Sequence, residues 1–172
     1  MKRANAIALA FGLALAAVGV WWRTAPAAVP PLAPPLAAAP HVIFRGDGDA
    51  AEIAAARGAL ERVFATPTGA RAFERIASGA LAGPLTIELN RRGANFTEYR
   101  VPGRELGETI FFDPSSHPLV ETAQGPAPAY AETVLAHELG HAVFKLTSEQ
   151  EVIDAVENPV REQLGLPLRS RF

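Results

Sequence analysis

The sequence predicts an α+β domain: a small mixed or antiparallel sheet packed on a histidine-bearing helix, which a second helix follows. Three observations carry this expectation. Residues 84–90 (PLTIELN) and 107–113 (GETIFFD) have the β-branched, aromatic and alternating character of strands. Residues 50–77 repeat apolar side chains at helical spacing. Residues 130–146 set His137-Glu138-Leu139-Gly140-His141 inside an otherwise apolar helical run.

Taken in order, residues 41–44 (HVIF) form a strand that ends at Gly46-Asp47-Gly48. Asp49 can cap a helix running to about Ala65, with Ile53, Leu60, Val63 and Phe64 on its inner face. Thr66 and Pro67 are a cap and a first-turn proline, so a second helix starts there and runs to Gly79. The strand at 84–90 leads through turn residues 90–95 to a short strand at 96–101. The strand at 107–113 is stopped by Pro114, and could lie at an edge where residues 109–113 pair an extended peptide. After the histidine-bearing helix, Ser148-Glu149-Gln150-Glu151 fits the S-x-x-E capping box, so the chain breaks between Leu146 and Ser148 and a new helix begins. Gly165 ends that helix, and Pro167 prevents its continuation.

Composition narrows the function classes. The chain has 172 residues, a net charge of −2 and no cysteine. Near-neutral charge gives no reason to expect nucleic acid as a partner. Without cysteine there is no thiol catalysis, no disulfide and no thiolate-bound zinc.

Residues 1–23 fall outside the core. Lys2 and Arg3 precede an uncharged apolar stretch, residues 6–22, closed by Trp21-Trp22-Arg23. This reads as a signal peptide or as an uncleaved membrane anchor, and predicts an exported bacterial protein: periplasmic, secreted, or anchored in the inner membrane with its C-terminal domain outside the cytoplasm. Residues 24–40 (TAPAAVPPLAPPLAAAP) carry no charge and favour polyproline II, which suits a semi-rigid linker. The folded domain is expected at residues 41–172.

The pentapeptide at 137–141 has the HExxH spacing. Two histidines four residues apart share one helix face and can reach one zinc ion, with Glu138 beside them as a general base. A polar face in a helix otherwise built of Leu, Ala, Val and Phe is costly to bury unless something satisfies it. The longer HExxHxxGxxH pattern is absent, because Phe144 and Thr147 stand where its Gly and His would be. The third ligand is then expected from the following helix. At 1.5 Å per residue, His141 and His137 lie roughly 10 and 16 Å from the break at Ser148, and Glu157 lies roughly 13 Å back along the partner helix. Glu157 is therefore the expected ligand, with Asp154, at roughly 9 Å, in reserve. Glu151 is too close to the turn, and His41 and His117 are the remaining alternatives.

The C-terminal half resembles the effector-type zinc metallopeptidases found among type III secreted effectors and as domains of bacterial polymorphic toxins. The resemblance rests on AHELGHAVF, on Glu157-Asn158-Pro159-Val160-Arg161 as an E-N-x-x-R segment, and on Gly165-Leu166-Pro167-Leu168-Arg169 as a G-L-P-x-R tail. Thr66-Pro67-Thr68-Gly69 and Phe112-Asp113-Pro114 are similar upstream. It implies a small zincin-like fold, His137 and His141 as zinc ligands, Glu138 as catalytic base, and a functional role for Glu157. Asn158 and Arg161 would orient ligands. The family tail ends in tyrosine where this chain ends in Phe172, so Tyr130 and Arg161 are the candidates for stabilising an oxyanion.

The activity expected is zinc-dependent hydrolysis of a protein or peptide substrate, effector-like or toxin-like in role. The alternative is a non-catalytic, membrane-tethered envelope protein that keeps zinc, or a degenerate site, for structure. Only the enzyme requires Glu138, since a structural site needs ligands and no base.

Overall fold

The computed structural model describes residues 41–100 and 105–170. The expected leader at 1–23, the linker at 24–40, Val101 and Phe172 lie outside the described residues. Among the described residues, no helix is long and apolar enough to cross a membrane.

The fold is α+β, with a mixed four-stranded sheet and flanking helices. β1 (Val42–Gly46) is followed by α1 (Ala50–Phe64) and α2 (Pro67–Ala77), which cross over to β2 (Leu85–Leu89). β3 (Phe96–Arg100) and β4 (Glu105–Phe112) follow, then a small hairpin of β5 (Leu119–Val120) and β6 (Ala127–Pro128), and the motif helix α3 (Ala131–Ala142). The chain closes with α4 (Glu149–Val152), a π-helical turn (Ile153–Glu157) and α5 (Asn158–Gln163).

The sheet order is β1-β2-β4-β3, with β1, β2 and β4 parallel and β3 antiparallel to β4. This order corrects one expectation. The strand at 109–113 is paired on both sides, to β2 and to β3, so it has no edge to offer a peptide. The edge beside α3 is β3. The reason is the crossover: α1 and α2 carry β2 into the middle of the sheet, and β4 must enter beside it before β3 can pair.

The cap residues act as the sequence requires. Asp49 Oδ1 accepts from the backbone N–H of Ala51 and Glu52, while Glu52 Oε2 accepts from Asp49 N–H at 2.9 Å, a complete capping box. Thr66 Oγ1 accepts from Gly69 N–H at 3.0 Å and donates to the Val63 carbonyl at 2.7 Å. Gly69 is obligatory at this corner, since a Cβ there would meet the Val63 carbonyl oxygen at 1.9 Å. At the other end, Gly165 has φ +70°, and the N–H groups of Gly165 and Leu166 return to the carbonyls of Glu162 and Arg161, a Schellman closure.

One core joins the layers. Leu60, Val63 and Phe64 of α1, Leu85, Ile87 and Leu89 of β2, Ile110 and Phe112 of β4, and Leu135 and Leu139 of α3 are all buried in it. The motif helix packs against both α1 and the sheet, its apolar face anchored and its His-Glu face turned to the cleft.

Two helix boundaries differ from expectation. α3 ends at Ala142, four residues short of Leu146. Lys145 takes φ +60°, its N–H bonding the His141 carbonyl and that of Leu146 the Gly140 carbonyl, which closes the helix early. The second helix is also not uniform. Pro159 has no N–H, and its ring would clash with the carbonyl four residues back in a regular α-helix. The turn before it widens, and Asn158 N–H reaches five residues back to Ile153.

Candidate metal centre

α3 presents His137, Glu138 and His141 to a cleft of about 390 Å³. The two imidazoles lie edge to face, 5.1 Å between centroids. Each ring is held through Nδ1. His141 Nδ1 lies 2.6 Å from the Leu146 carbonyl, an acceptor brought there by the early end of α3. His137 Nδ1 lies 2.9 Å from Glu157 Oε2. An Nδ1 facing a carbonyl or carboxylate carries the proton, so each neutral ring presents the lone pair of its Nε2.

Both Nε2 atoms point at Glu149, in the first turn of α4. Its Oε2 is 2.9 Å from His137 Nε2 and its Oε1 is 3.5 Å from His141 Nε2. Ligand atoms of His137, His141 and Glu149 lie within 4.8 Å of one another. A carboxylate facing two nitrogen lone pairs calls for positive charge between them, supplied by protons on the rings or by a metal cation. The donor set of two imidazoles and one carboxylate suits zinc.

Glu157 is therefore placed differently from the sequence expectation: behind His137, on the Nδ1 side, outside the group that converges on both Nε2 atoms. The sequence expectation runs the helix to Leu146. Ending it at Ala142 removes roughly 6 Å of helix, which brings the start of α4, and hence Glu149, level with the histidines. Asp154 is exposed and accepts from Gln150 Nε2 at 3.0 Å. His41 is exposed at the start of β1, and His117 Nδ1 lies 3.1 Å from the Ala129 carbonyl; neither belongs to the cluster.

A rigid scaffold stands behind the cluster. Arg161, fully buried, donates Nε to Glu157 Oε1 at 2.8 Å and reaches the Pro167 carbonyl at 3.0 Å. It has no exposed surface from which to meet a substrate, so its position fits orienting Glu157 and not an oxyanion. Tyr130 is the N-cap residue of α3 and lies outside the residues lining the cleft. Asn158 grips the tail at both backbone groups of Arg169, its Nδ2 on the carbonyl at 2.9 Å and its Oδ1 on the N–H at 2.8 Å. This aims Arg169 Nη1 at Glu157 Oε2, 3.1 Å away.

Two cleft residues are not among the sequence-predicted site residues. Arg169 has only its place in the G-L-P-x-R tail as a signal, and Thr97 has none. Thr97 of β3 donates Oγ1 to Glu138 Oε2 at 2.7 Å and lies 3.1 Å from the Glu138 carbonyl. The two are 41 residues apart.

The electrostatics follow from burial and partners. Burial disfavours a charge on Glu138 and, with the neighbouring Glu149, raises its pKa above the usual carboxylate value, against the pull of Thr97 and the two histidines. Burial also acts against ionised Glu157, but the His137 hydrogen bond and the charges of Arg161 and Arg169 outweigh it and hold its pKa low. For His137, burial is outweighed by the Glu157 hydrogen bond and the charges of Glu138, Glu157 and Glu149, so its pKa is raised.

No family model matches the chain, and no curated protein matches it in sequence. Among solved structures, the crystal structure of the Salmonella zinc metalloprotease effector GtgA is similar, with 16% identity, a TM-score of 0.58, and coverage of 81% of this chain and 84% of that one. At this identity the likeness is one of fold. The chain thus combines a fold similar to that of a zinc metalloprotease with a His-His-Glu cluster able to hold a metal ion.

Proposed function

We propose that the protein is a zinc-dependent endopeptidase in which His137, His141 and Glu149 hold the metal and Glu138 is the general base. The observation that carries this reading is the convergence of two Nε2 atoms and one carboxylate in an open cleft, with a second, separately held carboxylate beside them. Bound zinc would supply Lewis acidity, polarising a peptide carbonyl and making water acidic enough to attack near neutral pH.

The remaining work falls to the chain's own groups. Glu157 and the Leu146 carbonyl keep both rings in the Nδ1–H form and fix their planes. Thr97 fixes one oxygen of Glu138, so the carboxylate is oriented before substrate arrives. Glu138 stands between the two ligand histidines in sequence and beside them in the cleft, where it can accept a proton from water and pass it to the leaving amine. Arg169, which lines the cleft, is a better candidate than Tyr130 or Arg161 for meeting negative charge on a substrate. The antiparallel edge strand β3, beside α3, supports binding of an extended peptide or protein segment.

The leader expected at 1–23, together with a fold like that of an effector, supports an exported protein acting outside the cytoplasm, in an effector-like or toxin-like role.

Zinc content and peptide cleavage test the assignment together. About one zinc per chain is expected in the parent and in Glu138→Gln, with cleavage absent from the latter; His137→Ala and Glu149→Ala should lose the zinc. A Glu138→Gln protein that keeps both zinc and activity would end the reading.

A further inference from the structure

The cleft has a second wall of different chemistry. Pro118, Leu119 and Val120 at the first hairpin arm, Ala129 after the second arm, and Val134 of α3 line it without a charged group. This wall is continuous with the metal centre. Val134 precedes His137 by one helical turn. The wall is also built to stay in place. The hairpin is pinned at its base by Ala129 N–H on the Pro118 carbonyl, and Thr122 beyond it bridges to Arg169 of the tail.

One member of the wall remains in water: Leu119 is 71% exposed, the most exposed of the large hydrophobic residues among those described. Apolar side chains gathered in a concave surface beside convergent polar groups mark a place where a ligand removes them from water. An acidic side chain seated against this wall would lose its hydration with no charged partner there to replace it.

We infer that the cleft selects a peptide segment carrying a large apolar side chain, phenylalanine or leucine in type, beside the bond to be cut, with Leu119 and Val134 as the specificity-determining contacts. Calling that position the cleavage point rests on the peptidase reading; the apolar recognition does not. The apolar side chain enters against the hairpin while the backbone follows β3.

Binding separates the two ideas. Full-length Glu138→Gln protein, loaded with zinc, is titrated with Ac-Ala-Ala-X-Ala-Ala-NH2 peptides in which X is Phe, Ala or Asp. The Phe peptide should bind roughly ten- to hundred-fold tighter than the Ala peptide, as burial of one large apolar side chain gives, with Asp weakest. Leu119→Asp, a change at an exposed site, should abolish that preference, and Leu119→Ala should reduce it. Ile43→Ser, on the opposite sheet edge, should leave it intact. Equal affinities for Phe and Ala, no measurable binding of any peptide, or a preference that survives both cleft variants would overturn the inference. So would a dimer in sedimentation that Leu119→Asp splits while no peptide preference exists, since the wall would then serve self-association. Selective binding of the Phe peptide that the parent protein never cleaves would keep apolar recognition and remove the peptidase reading.

Discussion

Replacing Arg161 by methionine keeps most of the side-chain stem and removes the charge. The guanidinium is 0% exposed and Glu157, its partner, is 2% exposed. Removing one member of a buried pair leaves the other uncompensated, which costs about 3–5 kcal/mol. Here Glu157 retains His137 and Arg169, which puts its share near the lower end. The Pro167 carbonyl loses its donor as well, adding about 1 kcal/mol. A total of about 4 kcal/mol is a large part of the 5–15 kcal/mol that stabilises a typical domain. It corresponds to a fall of about 10 °C or more in thermal midpoint. Urea unfolding followed by far-ultraviolet circular dichroism measures it directly. Because the loss comes from a stranded charge, Glu157→Gln/Arg161→Met should be only about 1–2 kcal/mol below the parent, far from additive. A loss under about 1 kcal/mol in Arg161→Met, or additive behaviour in the pair, would refute this account of the scaffold.

Three further outcomes follow from the same geometry. Glu157→Gln should weaken zinc binding about 10- to 100-fold, as loss of an outer-shell orienter does, whereas Glu149→Ala should abolish stoichiometric binding; chelator competition would expose the reverse order. Gly69→Ala should destabilise by about 3 kcal/mol despite alanine's better helix propensity, because its Cβ meets the Val63 carbonyl at 1.9 Å, and a neutral effect on the thermal midpoint would contradict the corner geometry. Asp113 works against burial through hydrogen bonds from Ser115, Gly93 and Ser116, which hold its pKa below the usual carboxylate value. Its contribution is therefore complete above its unfolded pKa and is lost as pH falls through the depressed folded one, so Asp113→Asn should flatten the acid limb of a stability-against-pH curve.

Much of this protein is local and was legible in the sequence for that reason. Asp49, Thr66, Ser148 and Gly165 mark helix ends because their caps are made with neighbours a few residues away. The HExxH spacing puts both histidines on one helix face before any partner is known. The sheet order and the third carboxylate were decided elsewhere. A buried strand and an edge strand can carry the same residues, and only the crossover by α1 and α2 left β3 at the edge. Nothing at Lys145 announces a helix end, because lysine is an unusual residue at positive φ; packing imposes it, and with it the position of Glu149 beside both Nε2 atoms. Thr97 reaches Glu138 only when the sheet docks on α3. By itself the sequence determined the chemistry of the histidine face, through a period fixed by the helix. Which carboxylate stands beside both Nε2 atoms, which residue holds Glu138, and which apolar wall lies next to them are long-range contacts, and only the tertiary structure could choose them.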